Sequence, residues 1–217
     1  MQSFNVVTVE GNIGVGKSTL LPKLASELSR QTSERWVCFK EEVDTDPVFQ
    51  SLLKAFTEDP VSHRVAFQNY MTDLRHGIGK SLKPGTNYIL ERSLLSDLVF
   101  SEANAMGPEG DRSHIDRIHE ALNDYVRIDT VLYLQADARS CYMRMMERGR
   151  EAEKGTELSY IDHIATCHDV LLPKFAKQYD APLLTVEYSQ FKPVEQIAQM
   201  VLDNLSVNVR SKLKEAI

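Results

Sequence analysis

Near the start of the chain, the run Gly11-Asn12-Ile13-Gly14-Val15-Gly16-Lys17-Ser18 has the residue types and spacing that hold a polyphosphate. Glycines let the backbone curl so that successive amide N–H groups point inward at phosphate oxygens. Thr19 continues into a helical pattern, and the start of a helix adds partial positive charge at the same point. Lys17 is the side chain expected to reach the transferring phosphate, and the Ser18 hydroxyl is the expected Mg²⁺ ligand. The motif follows an apolar run and precedes an amphipathic one, which is the setting the chemistry requires. It predicts a nucleotide, but leaves the acceptor open, because switch GTPases, regulatory ATPases and small-molecule kinases all share it. Neither an Asp-x-x-Gly switch nor an Asn-Lys-x-Asp guanine reader accompanies it, which argues against the GTPases.

Two apolar runs end in acid, one at Glu41-Glu42 and the other at Glu91-Arg92-Ser93. In open α/β sheets ligands sit beyond the carboxyl ends of the strands. A carboxylate there can take a hydroxyl proton as the oxygen attacks phosphorus, and it repels an acceptor that already carries a phosphate. Alone, each acid reads first as a solvated strand end; two of them beside a phosphate loop become candidates for chemistry. Arg144 and Arg148 are four apart and share a helix face, with Arg150 just beyond. Guanidinium groups there would stabilise charge on the transferring phosphoryl group. The bland alternative is a solvated basic face with Glu147 and Glu151 interspersed.

The elements that must position these residues are legible as alternating patterns. Five short apolar runs read as buried parallel strands: Asn5–Glu10, Trp36–Glu41, Tyr88–Glu91, Thr130–Leu134 and Leu183–Glu187. Stripes of 3.6-residue period separate them, namely Leu20, Leu21, Leu24 and Leu28; Ile115, Ile118, Leu122 and Tyr125; and Val194 through Leu205. Asp46-Pro47 predicts a helix start, and Gly107–Asp111 a turn. The charged stretch Arg148–Glu157 predicts either a solvated loop or a lid. At 217 residues and 42% apolar content, the expectation is one domain over 1–217 with a lid at about 144–157. The expected fold is a three-layer α/β P-loop kinase fold, a five-stranded parallel sheet flanked by helices. No run approaches the ~20 apolar residues of a spanning helix, and the first strand begins too early for a signal peptide, so a cytoplasmic protein is expected. A net charge of −6 argues against broad nucleic-acid binding. Cys38, Cys141 and Cys167 read as reduced thiols, and His168 as a core residue.

Together these residues resemble the deoxynucleoside kinase family from the phosphate loop to about Phe175. Glu10–Thr19 is similar to that family's version of the loop, Glu41-Glu42-Val43 with Asp46-Pro47 to its Glu-Pro-Val segment, and Glu91-Arg92-Ser93 to its Glu-Arg-Ser. The resemblance implies that Mg²⁺ and ATP bind at Gly11–Thr19, with Arg144, Arg148 and Arg150 closing over the phosphates. It implies Glu41 as the carboxylate near the 5′-hydroxyl, Glu91 near Mg²⁺ or as an alternative base, and Arg92 at the 5′ end. Phe67-Gln68, with Arg75 and Asp97, is similar to the base-reading set that accompanies purine and cytosine acceptors rather than thymidine. Glu153 falls where a lid glutamate holds the sugar 3′-hydroxyl, and Phe191 near the adenine of ATP. Thr57 stands where a tyrosine commonly assists at the sugar, Ala152 replaces the first lid glutamate, and no tryptophan follows Glu41. These departures bear on the sugar contacts and leave phosphoryl transfer untouched. The family's habit of dimerising implies a homodimer, with Ile115–Tyr125 a candidate face unless that stripe is core. The expected activity is ATP-dependent phosphorylation of a deoxynucleoside 5′-hydroxyl. The alternatives are a nucleoside monophosphate kinase on the same fold and a non-catalytic nucleotide switch.

Overall fold

The computed structural model describes residues 3–41, 45–105 and 112–215, without the side chains of Ala152 and 208–215. The expected turn at 107–111 and the Glu42-Val43 pair lie outside the described residues.

The strands are β1 (Val6–Gly11), β2 (Trp36–Phe39), β3 (Asn87–Glu91), β4 (Thr130–Gln135) and β5 (Leu183–Glu187). All pair in parallel in the order β2-β3-β1-β4-β5. The helices are α1 (Lys17–Thr32), α2 (Pro47–Glu58), α3 (Pro60–Ser81), α4 (Leu94–Ala103), α5 (Ser113–Leu122), α6 (Ala138–Arg148), α7 (Leu158–Gln178) and α8 (Val194–Glu215). The expected α/β architecture is therefore the observed one. β2 stops two residues short of the expected boundary, so Glu41 follows the strand instead of ending it.

Both faces of the sheet are covered, which is why its central strands read as continuous apolar runs. Side chains alternate across it with period two. Val7, Val9, Leu132 and Leu134 pack against α1, α6 and α8. Val131 and Tyr133 face α4, α5 and α7, while Val6, Tyr88 and Leu90 meet Ile78 and Leu82 at the end of α3. Helix starts follow local chemistry. Asp46 caps α2 by accepting from the Val48 and Phe49 amides at 2.9 and 3.1 Å, with Pro47 in the first turn. Asp59 and Pro60 repeat the device at α3.

The stripe considered as a dimer face is spent inside the chain. Ile115, Ile118 and Leu122 are buried with Leu94, Leu98 and Leu172, so that apolar face is intramolecular core. The three cysteines are free thiols. His168 is fully buried; its ring lies parallel to Tyr133, and burial followed by the charge of Arg92 lowers its pKa to about 3. Among the described residues, no helix is long and apolar enough to cross a membrane.

Candidate active site

β1 delivers the phosphate loop beyond its carboxyl end, and α1 leaves from it. Gly14 has φ 77°, and a Cβ there would lie 2.1 Å from the Cys141 carbonyl oxygen, so only glycine fits. Gly16 precedes α1 in the left-handed region, and no side chain caps the first amides of the helix. Lys17 is buried and donates to the carbonyls of Gly11 and Asn12 at 3.2 and 2.9 Å. Burial, then the charge of Arg92, pull its pKa down to about 7, against the opposing pull of Glu91, Glu41 and Glu10. The Asn12 amide donates to the Ile161 carbonyl at 2.8 Å, tying the loop to α7.

β3 ends beside it. Arg92 adopts φ 65°, a left-handed backbone that costs a non-glycine residue on the order of 1–2 kcal/mol. The turn is held from several sides. The Arg92 amide donates to the Val9 carbonyl at 3.1 Å, its guanidinium donates to the Gly11 carbonyl at 2.8 Å, and its charge lies 4.7 Å from the centre of the Phe100 ring. Ser93 caps α4 while donating to buried Glu10 at 2.7 Å, and Ser96 donates to the other oxygen of Glu10. Glu91 accepts from the Ser18 hydroxyl at 2.7 Å and from the Glu41 amide at 3.3 Å. The Ser18–Glu91 pair offers hard oxygens of the kind Mg²⁺ takes, usually one or two side chains alongside substrate phosphates and water.

Glu41 is ion-paired with Arg75 and lies 3.7 Å from Arg92. Burial works to raise its pKa, but Arg75, Arg92 and Lys17 together overcome it and hold the carboxyl below the usual range. Arg75 also donates to Asp97, so one guanidinium joins the acid next to the phosphate loop to an acid on α4. Two turns earlier on α3, Gln68 is buried with its amide nitrogen unpaired. Among the described residues, Asp97 Oδ2, Arg75 Nε and Ser101 Oγ are likewise buried without partners.

These groups line a single cleft of about 480 Å³, which also receives Ile13, Gly14, Gly16, Ser18 and Thr19 from the phosphate loop. Gly11, Asn12 and Val15 stand behind it as support. Several lining residues escaped the sequence reading, though Phe67 did not. Phe49, Phe56 and Phe67 form an aromatic wall, with Phe56 and Phe67 stacked at 5.4 Å and Phe49 edge-on to Phe67 at 5.7 Å. Arg64, Phe100 and Tyr160 also face the cleft. Phe49, Leu53 and Phe56 fall at i, i+4 and i+7 after a capped helix start, a signal for one apolar face.

The arginine group divides. Arg144 lines the same cleft as Arg148 and Arg150 but is anchored by carbonyls instead of by Glu153. Its guanidinium donates to the carbonyls of Val15, Tyr188 and Ser189 and lies over the Phe191 ring at 4.3 Å, so it ties the phosphate loop to the segment after β5 at the edge of the cleft. Arg148 pairs with Glu153 at 2.6 Å, and Arg150 approaches the same carboxylate at 3.7 Å. Between them α6 ends at left-handed Gly149, and a 3-10 turn over Glu151–Glu153 packs against α2 across the cleft. Thr57 lies at the cleft edge, its hydroxyl donating to the Leu53 carbonyl at 2.8 Å.

A sequence model of the deoxynucleoside kinase family matches residues 7–209. A deoxyadenosine/deoxycytidine kinase of Bacillus subtilis is 29% identical over 217 residues, covering 92% of this chain and 94% of that protein. A deoxyguanosine kinase of Lactobacillus johnsonii is 27% identical, covering 97% and 93%. Among solved structures, a deoxyadenosine kinase from M. mycoides with dCMP and dCDP bound superposes with a TM-score of 0.68 at 24% identity, over 93% of this chain and 98% of that one, a likeness of fold. With a family match spanning nearly its whole length, this chain belongs to the deoxynucleoside kinases, phosphotransferases acting on an alcohol group.

Proposed function

We propose that the enzyme transfers the γ-phosphoryl group of ATP to the 5′-hydroxyl of a purine deoxynucleoside or deoxycytidine, in preference to thymidine. One observation carries this reading: Arg75 joins Glu41, beside the phosphate loop, to Asp97, in the same cleft as unpaired Gln68. A nucleoside laid along that chain of charges has its sugar end at Glu41 and its base edge at Gln68 and Asp97.

The phosphate-loop amides and Lys17 hold the β- and γ-phosphates, while Arg92 and Arg75 orient the Glu41 carboxylate. Glu41 takes the 5′ proton as the oxygen attacks; being held ionised, it is ready across the neutral range and only weakly basic, which suits a reaction dominated by positioning. Glu91 is the less suited base because Ser18 already occupies it. Mg²⁺ held at Ser18 and Glu91 would neutralise phosphate charge. Arg148, Arg150 and Glu153 form the lid that excludes water, a competing acceptor. Glu153 reaches the sugar 3′-hydroxyl on closure, and Thr57 lies at the sugar side.

Incubation with γ-labelled ATP and a panel of deoxynucleosides, ribonucleosides and their monophosphates tests the reading. Label is expected in deoxynucleoside 5′-monophosphates, with thymidine the poorest deoxynucleoside acceptor. Faster labelling of monophosphates would overturn it, since Glu41 opposes a second anion at the acceptor position.

A further inference from the structure

α3 carries a second cation whose position the phosphoryl-transfer chemistry does not explain. Arg64 is 8% exposed and lies one turn before Gln68 on the buried stripe of the helix. Its hydrogen bond is to its own helix, NH1 to the Val61 carbonyl at 3.0 Å, and Nε has no partner. Among the described residues no carboxylate lies within ion-pair distance of it; the neighbouring arginine on the stripe, Arg75, has two. A buried charge without a counter-charge is costly. Near the first turn of α3, the helix dipole adds to that cost, because this end is positive.

The group faces the acceptor half of the cleft with Gln68 and Ser101. At 1.5 Å of rise per residue, its Cα lies roughly 6 Å from that of Gln68 and roughly 16 Å from that of Arg75, so Arg64 and the Arg75–Asp97 pair bracket the glutamine. The two ends differ in kind. Asp97 Oδ2 is an unpaired acceptor, whereas a guanidinium only donates and the Gln68 amide nitrogen beside it is another unpaired donor. The Arg64 end therefore suits an oxygen. An amino group there would meet N–H with N–H, and a buried mismatch of this sort discriminates strongly between otherwise similar acceptors.

We propose that Arg64 is a specificity-determining residue that donates to an exocyclic carbonyl of the base, so that 6-oxopurine deoxynucleosides are preferred to deoxyadenosine. The inference rests on the acceptor site proposed above. It is tested by comparing kcat/KM for deoxyinosine, deoxyguanosine and deoxyadenosine in the wild type, R64M, R64K and Q68A. Deoxyinosine isolates the carbonyl, since it lacks the 2-amino group. The wild type is expected to favour deoxyinosine and deoxyguanosine, R64M to lose at least about tenfold of the deoxyinosine-to-deoxyadenosine ratio, and R64K to recover part of it. R64M is expected to melt at or above the wild-type temperature, because it removes an unpaired buried charge, and R64K serves as the probe should R64M fail to fold. A wild type that favours deoxyadenosine, an R64M ratio within twofold of wild type, or an equal loss for every acceptor would overturn the role of Arg64. If Q68A changes acceptor kinetics in those cases, the site stands and this inference alone fails. If Q68A also leaves all acceptors unchanged, the site reading itself falls.

Discussion

The two halves of the cleft are built on different principles. In the phosphate half, the side chains of the loop and of the groups bracing it find partners within the protein. Lys17 donates to Gly11 and Asn12, Asn12 to Ile161, Arg92 to Gly11, and Arg144 to Val15. In the acceptor half, Gln68 Nε2, Arg64 Nε, Arg75 Nε, Asp97 Oδ2 and Ser101 Oγ are buried without partners against an aromatic wall. A satisfied network is preorganised and rigid, whereas unpaired buried groups cost free energy that a matching ligand restores. Under the proposed function, the first half suits generic polyphosphate binding and the second suits discrimination.

Removing Lys17 is the harshest way to break that division. K17M should lower kcat/KM about 10²–10³-fold for every acceptor alike, the loss typical of one donor to a developing charge; a loss confined to one base would contradict it. E41Q should lower kcat about 10²-fold, as for loss of a positioned proton acceptor, with ATP affinity unchanged by isothermal titration. Weaker ATP binding would assign Glu41 to the phosphate half. D97A leaves Arg75 with Glu41 alone and should shift the ratio of deoxycytidine or purine to thymidine by at least about tenfold, read from kcat/KM with ATP saturating; an unchanged ratio would remove Asp97 from the discriminating half.

The smallest effect comes from pH. Lys17 has a pKa of about 7 before nucleotide binds, and a polyanion against the ammonium must raise it. Nucleotide affinity is therefore full below pH 7 and falls above it by no more than about tenfold per unit, levelling off past the pKa of the bound state. Titrations at pH 8 in buffers of different ionisation enthalpy should register proton uptake on binding. Acceptor affinity should lack this dependence.

The same division governs what the sequence disclosed. The phosphate loop is local, so consecutive residues and flanking patterns were enough to recognise it, and all five strands came within two residues of their bounds for the same reason. The β2-β3-β1-β4-β5 order depends on packing between distant segments and had no local signature. Arg144 and Arg148 share a helix face, but periodicity is silent on what that face meets. One braces the phosphate loop and the other pairs with Glu153. The stripe Ile115, Ile118 and Leu122 carried the same ambiguity between interface and core, and the packing of α4 and α7 resolved it as core. In the acceptor half, Gln68, Arg75 and Asp97 were found only through family resemblance. Arg64 escaped because a lone arginine on a helix reads as solvated until burial is known.

The division is tested most directly by a crystal structure of the enzyme with a non-hydrolysable ATP analogue and a deoxynucleoside that it phosphorylates. The account predicts the triphosphate in the Gly11–Thr19 loop, the 5′ oxygen within about 3 Å of Glu41, and the base edge against Gln68 and Asp97. A nucleoside bound with its base at the phosphate loop, or with its 5′ oxygen remote from Glu41, would contradict it.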